Sequence, residues 1–186
     1  MNWMKKVAVA LVCLLPLGLQ AAKVDTLQVK SPSMNKSIEV VVVSPDVAAT
    51  KACPVIYLLH GYGGNARTWV GIKPDLPKIA DEKGVFFVCP DGKNTWYWDS
   101  PLNADVRYET FISNELVKYV DSHYKTVADR KGRAITGLSM GGHGAMWNGL
   151  RHSDVFSAAG STSGGVDIRP FPKNWEMSVQ IGEKAK

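Results

Sequence analysis

Gly137-Leu-Ser-Met-Gly141 lies between a short apolar run, Ala134-Ile-Thr136, and a stretch that begins a helix at once. A serine on so sharp a strand-to-helix turn is held in a strained conformation with its hydroxyl projecting into a cleft, so Ser139 is a candidate nucleophile. The flanking positions must be nearly free of side chain, because strand and helix pack closely around the turn. The helix start also points unbonded backbone N–H groups at the same spot. The N–H of Met140 is therefore a candidate donor to an oxyanion.

Other residues invite a place around that serine. His60-Gly-Tyr-Gly-Gly64 follows an apolar strand, and Gly61, Gly63 and Gly64 let the backbone approach a substrate with no Cβ in the way. The bland alternative is that these glycines serve only a tight turn. His60 reads as a packed strand-end residue, since a general base must reach the serine hydroxyl directly. His143 is one helical turn beyond Ser139 and leans along the helix. His152, beside Arg151, sits at that helix's end, where a cation favours the dipole. Trp96, Tyr97 and Trp98 either stack on a sugar or aromatic group, or seal their loop against the sheet. Asp99 and Ser100 are expected to organise that loop. Histidines are scattered and the cysteines unpaired in sequence, so no metal or cofactor is expected.

The elements that must position these residues alternate. Val24 to Lys30 and Ile38 to Val43 predict an antiparallel hairpin at a sheet edge. Val55 to Leu59 and Val85 to Cys89 are continuous apolar runs, as in strands covered on both faces. Helices are predicted from Asp75 to Lys83, from Phe111 to His123 (Ile112, Leu116, Tyr119 and Val120 inward) and from the turn at Ser139 to about Leu150. A further strand is predicted from Val155 to Gly160, and a last helix over Asn174 to Ile181 with Asn174 as its cap. The alternation implies an α/β fold: a mostly parallel sheet with helices on both faces and right-handed crossovers. Ligands bind such sheets at the carboxyl ends of the strands, where His60–Gly64, Asp91–Pro101 and Ser139 converge.

The chain has 186 residues, 45% of them hydrophobic, which is ample for the core of one domain. Residues 1–21 read as a secretory signal peptide: Lys5 and Lys6 precede the apolar Val7 to Leu19, and Ala21 offers a small residue for cleavage. The apolar run is too short for a stable membrane span. Val12 makes Cys13 a poor lipid-attachment site. Residues 22–186 then form one domain, secreted or periplasmic. Without Lys5 and Lys6 the net charge is +3 rather than +5. No dense basic run with interleaved aromatics remains, so nucleic-acid binding is not supported. Cys53 and Cys89 fall at opposite ends of neighbouring strands and are expected as free, buried thiols.

With Leu58-Leu-His-Gly-Tyr-Gly-Gly64, Trp96-Tyr-Trp-Asp-Ser-Pro101, Glu115-Leu116 and Gly137-Leu-Ser-Met-Gly-Gly142 together, the chain from Val24 to Gly165 resembles the α/β-hydrolase superfamily. More narrowly it resembles the esterase D-like "putative esterase" family, with its S-formylglutathione hydrolases, feruloyl, acetyl-xylan and tributyrin-type esterases, and mycolyltransferases. The resemblance implies a serine esterase acting through an acyl-enzyme, with an oxyanion hole made by the N–H groups of Tyr62 and Met140. It implies substrate contacts at Gly61, Trp96 and Trp98, and a small acyl ester or an acetyl or feruloyl polysaccharide ester as substrate. In this superfamily an acid and then a histidine follow the serine. Neither His143 nor His152 follows an acid in that order, since Asp154 and Asp167 come later. The expectation is thus a fold lacking its last strands, with the acid and histidine absent. A catalytically inactive carbohydrate-binding relic and an acyltransferase are the alternatives. Oligomeric state is not legible.

Overall fold

The computed structural model describes residues 22–171 and 173–182. The signal peptide expected over 1–21, Cys13 included, lies outside the described residues. Strands β1 (Lys23–Ser31) and β2 (Lys36–Ser44) pair antiparallel over their whole length. The turn between them places Asn35 at φ 48°, a left-handed conformation that asparagine tolerates. The expected hairpin is present, one or two residues longer at each end.

Strands β3 (Val55–Leu59), β4 (Phe86–Pro90), β5 (Arg133–Gly137) and β6 (Ala158–Ala159) complete a six-stranded sheet of order β1-β2-β4-β3-β5-β6. β3 runs parallel to both β4 and β5, and β6 parallel to β5, while β2 joins the hairpin to β4 antiparallel. Helices α1 (Thr68–Ile72) and α2 (Leu76–Lys83) cross from β3 to β4. Gly84, at φ 60°, ends α2. The crossover to β5 carries α3 (Tyr108–Thr110), a π-helical turn (Phe111–Glu115) and α4 (Leu116–His123) without a break. α5 (Met140–Arg151) follows β5 directly, and α6 (Met177–Ile181) is a short late helix.

Side-chain alternation divides the core into two layers. Val40 and Val42 of β2, Tyr57 and Leu59 of β3 and Val88 of β4 face Leu116, Val120 and Ala145 of α4 and α5. Val41, Val43, Leu58, Phe87 and Cys89 face Leu76 and Ala80 of α2 on the other side. Because β3, β4 and β5 are parallel, their carboxyl ends share one edge, and all three candidate segments emerge there.

Three expectations are corrected. The strand expected over Val155–Gly160 is two residues long, and Ala158 and Ala159 are both exposed. Its small residues give it little to bury, so backbone bonds from Ser157, Gly160 and Thr162 to the carbonyls of Arg133, Ile135 and Gly137 hold it to β5. The last helix begins at Met177, not after an Asn174 cap, because Trp175 and Glu176 adopt φ 50° and 58°. In α4, Tyr119 is half-buried and stacks on His123, and Val117 is buried with Leu116 and Val120. Cys53 and Cys89 are free and buried. The β3–β4 register sets them about 16 Å apart along the strands, at ~3.3 Å per residue.

Candidate active site

Ser139 stands between β5 and α5 at φ 54°, ψ −117°, a conformation that costs a side-chain-bearing residue on the order of 1–3 kcal/mol. The neighbouring packing fixes it there. A Cβ on Gly141 would lie 2.2 Å from the Leu59 carbonyl oxygen, and one on Gly137 would lie 2.3 Å from the Gly141 backbone. Leu138 N–H donates to Leu59 O (3.1 Å) and Ser139 N–H to Thr162 O (2.8 Å), so β3 on one side and the segment after β6 on the other grip the turn. The serine side is exposed. It opens on a cavity of about 180 Å³ whose walls include Tyr62, Trp96, Gly165, Phe171, Trp175 and Met177.

Gly61 approaches this serine closely: a Cβ there would be 3.5 Å from Ser139 Cβ. Tyr62 follows on the cavity wall. The loop is pinned by Gly64 N–H donating to Gly61 O (3.0 Å) and Gly63 N–H donating to Asn94 Oδ1 (2.8 Å). Among the described residues, neither the Tyr62 N–H nor the Met140 N–H has a hydrogen-bond partner. Two unspent backbone donors beside an exposed serine are what an oxyanion requires. Asn94, which holds the loop from the β4 side, was not anticipated. Its signal, an asparagine shortly after a strand end, is too common to single out.

The aromatic loop divides by role. Trp96 and Tyr97 occupy φ 58° and 60°, so the loop doubles back. Only Trp96 reaches the cavity; its indole N–H donates to Trp175 O (3.1 Å) and its ring stacks on Trp98. Tyr97 is fully buried between Gly92 and Gly144, with its hydroxyl donating to His60 O (3.1 Å). Trp98 is buried and does not line the cavity, its indole N–H being committed to His143 Nε2 (2.9 Å). Asp99 accepts from Thr110 N–H and Oγ1, and Ser100 accepts from Leu102 and Asn103 N–H, so both organise the loop.

No histidine lines the cavity. His60 is buried, with Nε2 accepting from Gly92 N–H (2.9 Å) and Nδ1 against Gly61 O (2.7 Å). His143 accepts from Trp98 and so donates through Nδ1 to Gly165 O (2.6 Å); burial lowers its pKa and keeps it neutral. His152 is bonded to Glu109 Oε1 (2.9 Å) at the far end of α5, roughly 20 Å along the helix from Ser139 at ~1.5 Å per residue. His123 bonds the Tyr119 carbonyl on the surface. The cavity does hold one carboxylate. Asp167 receives two guanidinium N–H bonds (2.7 and 2.8 Å) and the backbone N–H (3.2 Å) of Arg169, which hold its carboxyl below the usual range. The wall from Ser163 to Met177 went unforeseen because its aromatic residues are interspersed with turn formers and show no period. Among the described residues, no group of His, Cys, Asp and Glu is arranged to hold a metal ion. None of the described helices is long and apolar enough to cross a membrane.

A mostly parallel sheet with helices on both faces and a strained serine where a central strand turns into a helix define an α/β-hydrolase fold. A ferulic acid esterase of known structure superposes with a TM-score of 0.72 at 30% identity, over 88% of this chain and 68% of that one. Residues 31–184 match the family described as "Putative esterase", and the chain belongs to that family. An esterase of Mycobacterium tuberculosis is 29% identical over 149 residues, 76% of this chain and 32% of that protein. A diacylglycerol acyltransferase/mycolyltransferase of Mycobacterium leprae is 32% identical over 158 residues, 77% of this chain and 44% of that protein. The chain thus spans a third to under a half of these relatives' length.

Proposed function

We propose that this chain carries the nucleophile and oxyanion hole of an exported serine carboxylic-ester hydrolase. The observation that carries the reading is Ser139, strained at φ 54° and exposed beside the unpartnered N–H groups of Tyr62 and Met140. In this mechanism Ser139 Oγ attacks the ester carbonyl as its proton passes to a base. The two N–H groups stabilise the negative oxygen, collapse expels the alcohol, and water then releases the acid from the acyl-enzyme. His60 and His143 have both ring nitrogens engaged and His152 is remote. We therefore assign the base and its acid to the part of the relatives' length that this chain does not span. The apolar, aromatic cavity wall of Trp96, Phe171 and Trp175 suits a small or aromatic acyl group, including acetyl or feruloyl esters of polysaccharide. Residues 1–21 serve as the signal for export.

Incubation of a form of the protein that also carries the base and acid with 4-nitrophenyl acetate, followed by peptide mass mapping, tests this. Acetate on Ser139, absent from Ser139→Ala, is the expected result; acetylation elsewhere or nowhere overturns the assignment. Similarity to a mycolyltransferase supports a second reading, in which an alcohol rather than water receives the acyl group. Product analysis with and without added glycerol or sugar separates the two.

A further inference from the structure

We infer that His60 is a positioning residue for the oxyanion hole, acting through the peptide bond between Gly61 and Tyr62. The imidazole tautomer follows from its partners. A backbone N–H can only donate, so Gly92 N–H at 2.9 Å requires a lone pair on Nε2. The proton of the neutral ring is then on Nδ1, which donates to Gly61 O at 2.7 Å. Gly64 N–H donates to the same oxygen at 3.0 Å. The Gly61 carbonyl and the Tyr62 N–H are opposite ends of one planar trans peptide unit. Two donors that fix the carbonyl therefore fix the N–H, pointing the other way. That N–H is unpartnered among the described residues, on the side where Gly61 approaches Ser139.

The imidazole is well placed to hold this setting. It is 1% exposed, packs edge-on against Tyr97, and its own carbonyl accepts the Tyr97 hydroxyl. Gly92, its other partner, belongs to the chain leaving β4, whose carbonyl accepts Thr95 Oγ1. Asp91 Oδ1 is 3.6 Å from Nε2, flanking that bond. The end of β4 thus sets the angle of a donor carried by the end of β3. The inference rests on the proposed role of Ser139 only where turnover is the readout.

Two measurements on the full chain test it. ¹⁵N NMR of the histidines is expected to show a protonated Nδ1 and an unprotonated Nε2 at His60; the opposite tautomer or an imidazolium overturns the inference. His60→Asn keeps a donor near the Nδ1 position, whereas His60→Phe keeps none. Circular dichroism identifies a variant that has not folded, and the comparison then rests on the tautomer and on His60→Asn. The Tyr62 amide resonance is expected to move strongly in His60→Phe and little in His60→Asn. For 4-nitrophenyl acetate, in the form that also carries the base and acid, His60→Phe is expected to lose about 10²–10³-fold in acylation rate, as when an oxyanion donor is removed, with KM nearly unchanged. His60→Asn is expected to recover most of it. Equal damage in both variants, or a loss carried by KM, overturns the inference. If the form that carries the base and acid shows no Ser139-dependent acylation, the proposed function fails, while the tautomer and the Tyr62 amide still decide the role of His60.

Discussion

Ser139 combines an exposed hydroxyl with a backbone that glycine would adopt more easily. Two substitutions separate its chemistry from its strain. Ser139→Ala removes the nucleophile and keeps the Cβ, so acylation is lost while unfolding free energy stays within about 0.5 kcal/mol. Ser139→Gly also relieves the positive φ and is expected to stabilise by about 1 kcal/mol, measured by urea unfolding. Gly141→Ala goes the other way. Its methyl would meet the Leu59 and His60 carbonyl oxygens at 2.2 and 2.6 Å, and rigid backbone cannot step aside. A loss of about 3 kcal/mol or more in the same measurement is expected. Ser139 was legible because a few residues of sequence dictate their own geometry. Trp98 was not: nothing local distinguishes an indole that meets a ligand from one that meets His143.

At the scale of elements, Glu109 fastens the start of the α3–α4 run to the end of α5. Its carboxylate accepts from Trp147 Nε1 (2.7 Å), Arg151 Nε (2.8 Å) and His152 Nε2 (2.9 Å). Just beyond it, Ser113 Oγ donates to the Glu109 carbonyl (2.6 Å) where the helix widens into its π turn. Burial alone would raise the Glu109 pKa, but the bonds from Arg151, Trp147 and His152 outweigh it and leave the carboxyl below its ordinary value. A depressed carboxyl stabilises the fold above its unfolded pKa, so that contribution begins to fade near pH 4.5 and is gone only below the folded value. Glu109→Gln is expected to cost about 1–3 kcal/mol at pH 7. It should also flatten the acid limb of a stability-against-pH curve. The helix from Phe111 to His123 was evident from its apolar period, but neither its extension back through Glu109 nor the clamp was, since the clamp's partners lie some forty residues on.

For the whole molecule, the mostly parallel sheet was implied by strand–helix alternation, and the hairpin by its paired β-branched runs. Continuous apolar strands such as Val55–Leu59 announce burial on both faces, and the two core layers bear this out. The region after α5 departed most from expectation. Ala158 and Ala159 pair through backbone alone, and positive φ at Trp175 and Glu176 delays α6; neither feature leaves a periodic trace. Burial of the aromatic loop likewise depends on glycines distant in sequence, Gly92 and Gly144, which make room for Tyr97.

The free cysteines sit at opposite ends of this sheet, and burial raises both thiol pKa values, so neither sulfur reacts quickly while the protein stays folded. Alkylation therefore has to wait for the chain to open, and the two sulfurs time different openings. Cys53 is tied beside β3 by backbone bonds with Lys125 and Val127. Cys89 lies within β4, bonded between β2 and β3. In dilute urea, iodoacetamide is expected to mark Cys53 first and Cys89 only at the rate of global unfolding. Mass spectrometry of the alkylated peptides then reports fraying and collapse separately, from one sample and with no engineered probe.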